Sequence, residues 1–83
     1  MTNIQIEKFL DEKAGSGQPI RITLKSRKPF LGIFIKTNDF GELKSKNFWR
    51  IVSEGNIENY LKNKDNNLAR IFAGSDITKL SLN

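Results

Sequence analysis

The sequence predicts a mainly β domain in which one short N-terminal helix precedes five short strands, bent strongly into a small antiparallel barrel. Three observations lead to this prediction. The spacing of apolar residues changes from helical to alternating after Pro19. Gly32 interrupts the second apolar run, and a glycine there often marks a bend where another backbone passes close. The later runs are short and bounded by polar turns, as in barrels that avoid long flat edges.

The helix is predicted over residues 1–14. Thr2 and Gln5 have the spacing of a capping box, which marks a helix start. An apolar stripe follows at helical spacing, formed by Ile6, Phe9 and Leu10. The sequence Ala-Gly-Ser-Gly at 14–17 ends the pattern. A helix of about ten residues is marginal alone, so we expect it to pack on the barrel.

The barrel is predicted over residues 19–83. Its strands are expected at 20–25, 30–35, 48–52, 68–73 and 77–82, where β-branched and aromatic residues are frequent. A turn is expected at 38–41. The long connection between the third and fourth strands carries apolar residues at helical spacing, namely Ile57, Tyr60 and Leu61, which predicts a short helix there.

Composition narrows the function. The chain has 83 residues, which suits one small domain over 1–83. It lacks Cys and His, which excludes disulfides, sulfur-ligated zinc sites and triads with a histidine base. Asp39 and Glu42 alone are too few carboxylates for a metal site. We therefore expect a non-enzymatic protein without metal or cofactor.

Neither a signal peptide nor an apolar run of roughly 20 residues occurs, so the expected location is the cytoplasm.

The basic excess is concentrated in the middle of the chain. The whole chain has a formal net charge of +5, and residues 21–50 alone carry eight basic and two acidic residues, a net charge of +6. Such a stretch is typical of a surface that binds a polyanion. It also fits a solvated basic face that keeps a small protein in solution. Both interpretations stay open on charge alone.

Three segments resemble a known family. Phe9-Leu10 is followed ten residues later by Pro19 and an alternating strand. Residues 24–39 run through a strand, a turn, a glycine-bent strand and an acidic turn, and residues 71–80 place a glycine knuckle between two strands. In this order and spacing they resemble the Sm-like family, and its bacterial Hfq branch of RNA chaperones in particular.

The resemblance implies an Sm-like (SH3-like) barrel that forms a homo-oligomeric ring of six or seven subunits and binds single-stranded RNA. The fourth strand of one subunit would pair with the fifth strand of the next, which would satisfy both edges of an open sheet. The subunit interface is then expected at Leu68, Arg70, Phe72, Ile77, Lys79 and Leu80. The knuckle departs from the family, since Ala73, Gly74 and Ser75 replace its basic residues.

Two turns are candidates for RNA binding, because each combines cations for phosphates with an aromatic ring on which a base can stack. The predicted residues are Lys25, Arg27, Lys28 and Phe30 at the first turn, and Asn38, Asp39, Phe40, Lys44 and Lys46 at the second. The alternatives are that Phe30 belongs to the core, that the cations are merely solvated, and that Asp39 caps a turn.

A second function is a structural or protein-interaction barrel that has lost RNA binding. Leu31, Ile33 and Ile35 give the second strand more apolar surface than a lone small barrel can bury on one side. Such an excess favours an oligomer or a docking partner. Trp49 is expected in the core or at an interface.

Overall fold

The structure, a computed structural model, describes residues 1–13 and 18–82. Its helices are α1 (Asn3–Lys13), α2 (Phe40–Ser45) and α3 (Glu54–Asn63), with short 3₁₀ turns at Asn66–Leu68 and Gly74–Asp76. Its strands are β1 (Ile20–Leu24), β2 (Phe30–Phe34), β3 (Phe48–Ser53), β4 (Arg70–Ala73) and β5 (Ile77–Leu82). The predicted N-terminal helix and five strands are thus confirmed. The helix end predicted at 14–17 lies outside the described residues.

The five strands form one antiparallel sheet in the order β4-β3-β2-β1-β5. This order leaves β4 and β5 as its two edges, so the sheet does not close into a complete barrel. It is nevertheless strongly curved, since the rings of Phe30 on β2 and Phe72 on β4 lie 5.6 Å apart between centroids although the two strands are not neighbours.

Gly32 shows why β2 needs a glycine. A Cβ atom at this position would lie 2.8 Å from Cγ2 of Ile51 and 3.1 Å from the carbonyl oxygen of Val52. A side chain at this position would therefore have to displace Ile51 and crowd the backbone of β3. The close approach predicted from the interrupted apolar run is confirmed.

One face of the sheet carries the main core, covered by α1. The predicted capping box forms, since the Thr2 hydroxyl accepts from the Gln5 amide (3.2 Å) and the Gln5 side chain accepts from the Thr2 amide (2.9 Å). The helix buries Ile6 and packs Phe9 and Leu10 against the core. The other buried core residues are Ile20, Ile22, Leu24, Trp49, Ile51, Ile77 and Leu80.

The opposite face of β2 and β3 is covered by α3. Ile33, Ile35 and Val52 are buried there, packed against Ile57 and Tyr60 of the helix. The helix predicted in the long connection is confirmed. Because α3 covers Ile33 and Ile35, these two residues are buried within the chain and do not themselves favour a partner molecule. Leu31, the third residue of that apolar excess, is half-buried.

Two elements differ from the sequence-based prediction. The turn expected at 38–41 leads directly into α2, which ends where Asn47 adopts a left-handed conformation (φ 61°). The fourth strand begins at Arg70 instead of Leu68, because Asp65 accepts the Asn67 amide at 3.0 Å and winds 66–68 into a 3₁₀ turn. Among the helices that the structure describes, none is long and apolar enough to cross a membrane.

Candidate nucleic-acid interface

The connection between β1 and β2 exposes three cations. We call residues 25–28 the basic turn; the side chains of Lys25, Arg27 and Lys28 are all exposed. None of the three ion pairs formed within the described part of the chain involves them. The backbone amide of Lys25 donates to the carbonyl oxygen of Asp76 at 2.9 Å, which fixes one end of the turn to the sheet. The basic turn is therefore anchored to the sheet, and its three cationic side chains are exposed.

Arg27 lies over two aromatic rings. Its guanidinium carbon is 5.9 Å from the ring centroid of Phe30 and 6.0 Å from that of Phe72. Both rings are half-buried, and their planes are inclined by 33°. We call Phe30 and Phe72 the aromatic pair. Phe30 packs against the core and keeps partial exposure, so part of its side chain is open to solvent.

Phe72 was expected at a subunit interface, not beside the basic turn. The pairing register places Phe72 opposite Trp49, on the core face of the sheet. Its contact with Phe30 depends on the curvature of the sheet, since β2 and β4 are not neighbouring strands. A sequence pattern predicts which face a residue occupies but not this contact between two strands that are not paired.

Asp39, from the second predicted turn, forms an ion pair with Arg50. Nη2 of Arg50 lies 2.8 Å from Oδ2 of Asp39, and Nε donates to Oδ1 at 3.3 Å. The Thr37 hydroxyl also donates to Oδ1. These bonds, first the one from Arg50 and then the one from Thr37, lower the pKa of Asp39 to about 2, and Asp39 in turn raises the pKa of Arg50.

The side chain of Asp39 is thus bound to Arg50 and Thr37. It makes no capping hydrogen bond to α2, although Asp39 is the residue before that helix. The alternative prediction was that this carboxylate acts as a cap. At α2 it does not, since its side chain makes no capping hydrogen bond there. Its main contribution here is to connect the 37–39 loop to β3.

An open polar cleft of about 490 Å³ surrounds this ion pair. Its lining residues are Lys36, Thr37, Asn38, Asp39, Arg50, Asn66 and Asn67. The cleft joins the loop after β2 to the 3₁₀ turn of the long connection. Sequence reasoning identified Asn38 and Asp39 but missed Arg50, which stands eleven positions from Asp39 and reaches it only because β2 and β3 pair.

Phe40 and its neighbouring lysines are engaged within the fold. The Phe40 ring packs edge-on against Trp49, with centroids 5.9 Å apart. Lys44 lies 5.7 Å from the Phe40 centroid and forms an ion pair with Glu7 of α1. Lys46 forms an exposed ion pair with Glu42 at 3.4 Å. These residues are therefore less available to a ligand than the basic turn.

The predicted interface residues divide into two groups. Ile77 and Leu80 are buried in the core of the chain itself, and Leu68 and Phe72 are half-buried. Arg70 and Lys79 are exposed on the edge strands. Any pairing between subunits would therefore use the backbone edges of β4 and β5 more than these apolar side chains.

The knuckle between β4 and β5 is closed by the start of the chain. The Met1 nitrogen donates to the carbonyl oxygens of Gly74, at 2.8 Å, and Ile77. The side chain of Asn47 donates to the carbonyl oxygen of Met1 at 3.0 Å. This arrangement occupies the region where the resembled family carries basic residues.

Within residues 1–13 and 18–82, no group of three or more acidic side chains is placed to hold a metal ion. Comparisons with protein-family models, with curated proteins and with solved structures found no match to this chain.

Proposed function

We propose that this chain is an Sm-like small-barrel protein that binds single-stranded RNA in the cytoplasm without catalysing a reaction. The observation that carries the proposal is the basic turn, where Lys25, Arg27 and Lys28 are exposed beside the half-buried ring of Phe30. Proteins bind single strands through cations that contact the phosphate backbone and through aromatic side chains on which the bases stack.

The stacking of an RNA base on an aromatic ring can be compared in energy with the contact between Arg27 and the rings in the free protein. A cation over an aromatic ring at an exposed site contributes roughly 0.5–1 kcal/mol. A base stacked on an aromatic side chain contributes roughly 1–3 kcal/mol. The contact between Arg27 and a ring is therefore the weaker of the two by these magnitudes, so a stacked base can replace it.

We also propose that the protein assembles as a homo-oligomeric ring of six or seven subunits. Its support is the strand order, which places β4 and β5 at the two edges of the sheet. Unpaired strand edges expose rows of backbone donors and acceptors. Pairing β4 of one subunit with β5 of the next in a closed ring satisfies every edge at once.

A fluorescence titration tests RNA binding. The probes are labelled poly-A and poly-U strands of about ten nucleotides, at about 50 and 200 mM salt, because phosphate contacts make affinity fall with salt. The variant Arg27→Glu/Lys28→Glu should bind far more weakly than the wild type. The variant Lys8→Glu/Lys62→Glu makes the same charge change at exposed sites on α1 and α3 and should bind nearly as well as the wild type.

The alternative is a protein-interaction barrel, and one observation favours it. Ile71, on the edge strand β4, is 50% exposed, and Phe48, which the register puts on the same face, is 39% exposed. Apolar groups beside an unpaired edge suit a protein partner that adds a strand. Absence of RNA binding even at about 50 mM salt would overturn the RNA proposal and favour this alternative.

A further inference from the structure

Phe72 lies beside the basic turn although it belongs to a different part of the chain. The proposed RNA site consists of residues of the basic turn and of β2. Phe72 comes from β4, and its ring centroid lies 5.6 Å from that of Phe30. The guanidinium of Arg27 is almost equally distant from both rings, at 5.9 and 6.0 Å. The two rings therefore lie side by side near one exposed side chain, that of Arg27.

We infer that Phe30 and Phe72 together form a stacking site for one RNA base, which Arg27 covers in the free protein and leaves when the base arrives. This inference rests on the proposed function, since it names how the basic turn holds a strand. Phe72 becomes a residue that contacts the ligand, in addition to its contact with the core.

Phe34 and Phe40, two further half-buried phenylalanines packed against the core, suit this role less well. Phe34 and Phe40 each meet Trp49 edge-on, with centroid distances of 5.9 Å in both pairs. Trp49 itself is buried. These rings are held by the indole from one side, and Phe40 is also flanked by Lys36 and Lys44. The aromatic pair is instead covered by an exposed arginine on a turn.

Once Arg27 leaves the rings, its guanidinium can bind a phosphate of the same RNA strand. A guanidinium forms two parallel hydrogen bonds with a phosphate. Lys25 and Lys28 are exposed on the same turn, so further cations are available to the phosphates next to the stacked base. The exchange thus replaces a contact between Arg27 and two rings by a base on the rings and a phosphate on Arg27.

A pair of strands separates stacking from phosphate binding. One is a labelled RNA of about six nucleotides, and the other is an abasic ribose-phosphate strand of equal length and charge. Fluorescence anisotropy measures both affinities at about 50 mM salt for the wild type, Phe72→Leu, Phe72→Trp and the control Phe34→Leu. Thermal melting confirms that each variant is folded at the assay temperature.

Phe72→Leu is expected to weaken binding of the RNA about five- to tenfold and to leave binding of the abasic strand unchanged. Phe72→Trp keeps a stacking surface and should bind the RNA at least as well as the wild type. Phe34→Leu should bind both strands as the wild type does. RNA affinity of Phe72→Leu equal to that of Phe34→Leu, or an equal loss for both strands, would overturn the inference.

Two further outcomes separate this inference from the proposed function. If Arg27→Glu/Lys28→Glu abolishes binding while Phe72→Leu binds normally, the RNA site stands and the stacking role of Phe72 is wrong. If the wild type binds neither strand, both proposals fail. Should Phe72→Leu unfold, cross-linking of 4-thiouridine RNA to the wild type decides: a cross-link at Phe72 supports the inference, and cross-links confined to other residues overturn it.

Discussion

The side chain of Asn47 fills the position that a Cβ atom at residue 74 would occupy. Its Oδ1 atom lies 2.0 Å from that position, and its Cγ and Nδ2 atoms lie within 2.6 Å. The same side chain accepts a hydrogen bond from the indole of Trp49 at 2.9 Å and donates to the carbonyl oxygen of Met1. Gly74 is therefore required by packing at the junction of β3, β4 and the N-terminus.

Gly74→Ala is expected to destabilise the fold by about 1–3 kcal/mol, because the added methyl group must displace Asn47 from its bonds to Trp49 and Met1. Urea unfolding, followed by tryptophan fluorescence, measures the free energy of unfolding. The indole reports directly on the site.

Gly55→Ala is the matched control. Gly55 lies in α3, and no atom lies within 4 Å of the Cβ position there. Gly55 lies in the first turn of the helix, so its replacement by alanine should stabilise the protein by no more than the roughly 0.5–1 kcal/mol found in helix interiors. Equal and small effects of the two substitutions would contradict the packing role of Gly74.

The ion pair between Asp39 and Arg50 predicts a loss of stability in acid. The pKa of Asp39 is lowered from its ordinary value of 3.8 to about 2 in the folded protein. Because the folded-state pKa lies below the unfolded one, the contribution to stability is present above pH about 4 and is lost as the pH falls towards 2. Asp39→Asn removes this contribution.

The check is a series of melting temperatures between pH 2 and 7. Wild type and Asp39→Asn should differ most near neutral pH and converge towards pH 2. Asp11→Asn, an exposed change on α1, should follow the wild type. A constant difference between wild type and Asp39→Asn across the series would show that the ion pair does not set the pH dependence.

Local features of the fold follow from the sequence, whereas contacts between distant elements do not. Thr2 with Gln5, and Gly32, were interpreted correctly because a cap depends on neighbouring residues and a glycine interruption marks a close backbone. The short helix α2 was missed, since six residues hold too few apolar positions to show a helical period. The cover that α3 gives to Ile33 was also missed, because periodicity predicts a helix but not the surface on which it packs.

The candidate site likewise combines features that the sequence predicts with contacts that it does not predict. Exposure of Lys25, Arg27 and Lys28 follows from a polar turn between two strands and was predicted. The contacts of Asp39 with Arg50 and of Arg27 with Phe72 join residues that only strand pairing and sheet curvature bring together. The alternation of residues along one strand predicts neither of these two contacts, because each depends on how different elements pack together.

If subunits assemble through the edges of their sheets, a charged residue introduced on β4 should reduce the mass of the assembly. Ile77→Asp is unsuitable for this test, because Ile77 is fully buried and a carboxylate there would unfold the subunit. Ile71→Asp changes an edge residue that is 50% exposed. It should leave the fold intact and split a ring, because the carboxylate would enter the subunit contact.

Light scattering coupled to size exclusion measures the mass of the wild type, of Ile71→Asp and of the control Leu61→Asp. Leu61 is exposed to a similar degree, 47%, but lies on α3 away from the sheet edges. The control should keep the mass of the wild type. A monomeric wild type, or full mass retained by Ile71→Asp, would argue against a ring built on β4.

The salt dependence of RNA binding counts the cations of the basic turn that meet phosphates. For single strands, each such contact adds about 0.7 to the slope of log affinity against log salt concentration. Arg27→Gln/Lys28→Gln removes two charges and should reduce that slope by about 1.4, together with the affinity at low salt. Titrations at four salt concentrations give the slope, and Lys8→Gln/Lys62→Gln should leave it unchanged. Because a lost stacking contact lowers affinity equally at every salt concentration, a weaker affinity with an unchanged slope would mean that Arg27 and Lys28 do not contact phosphates.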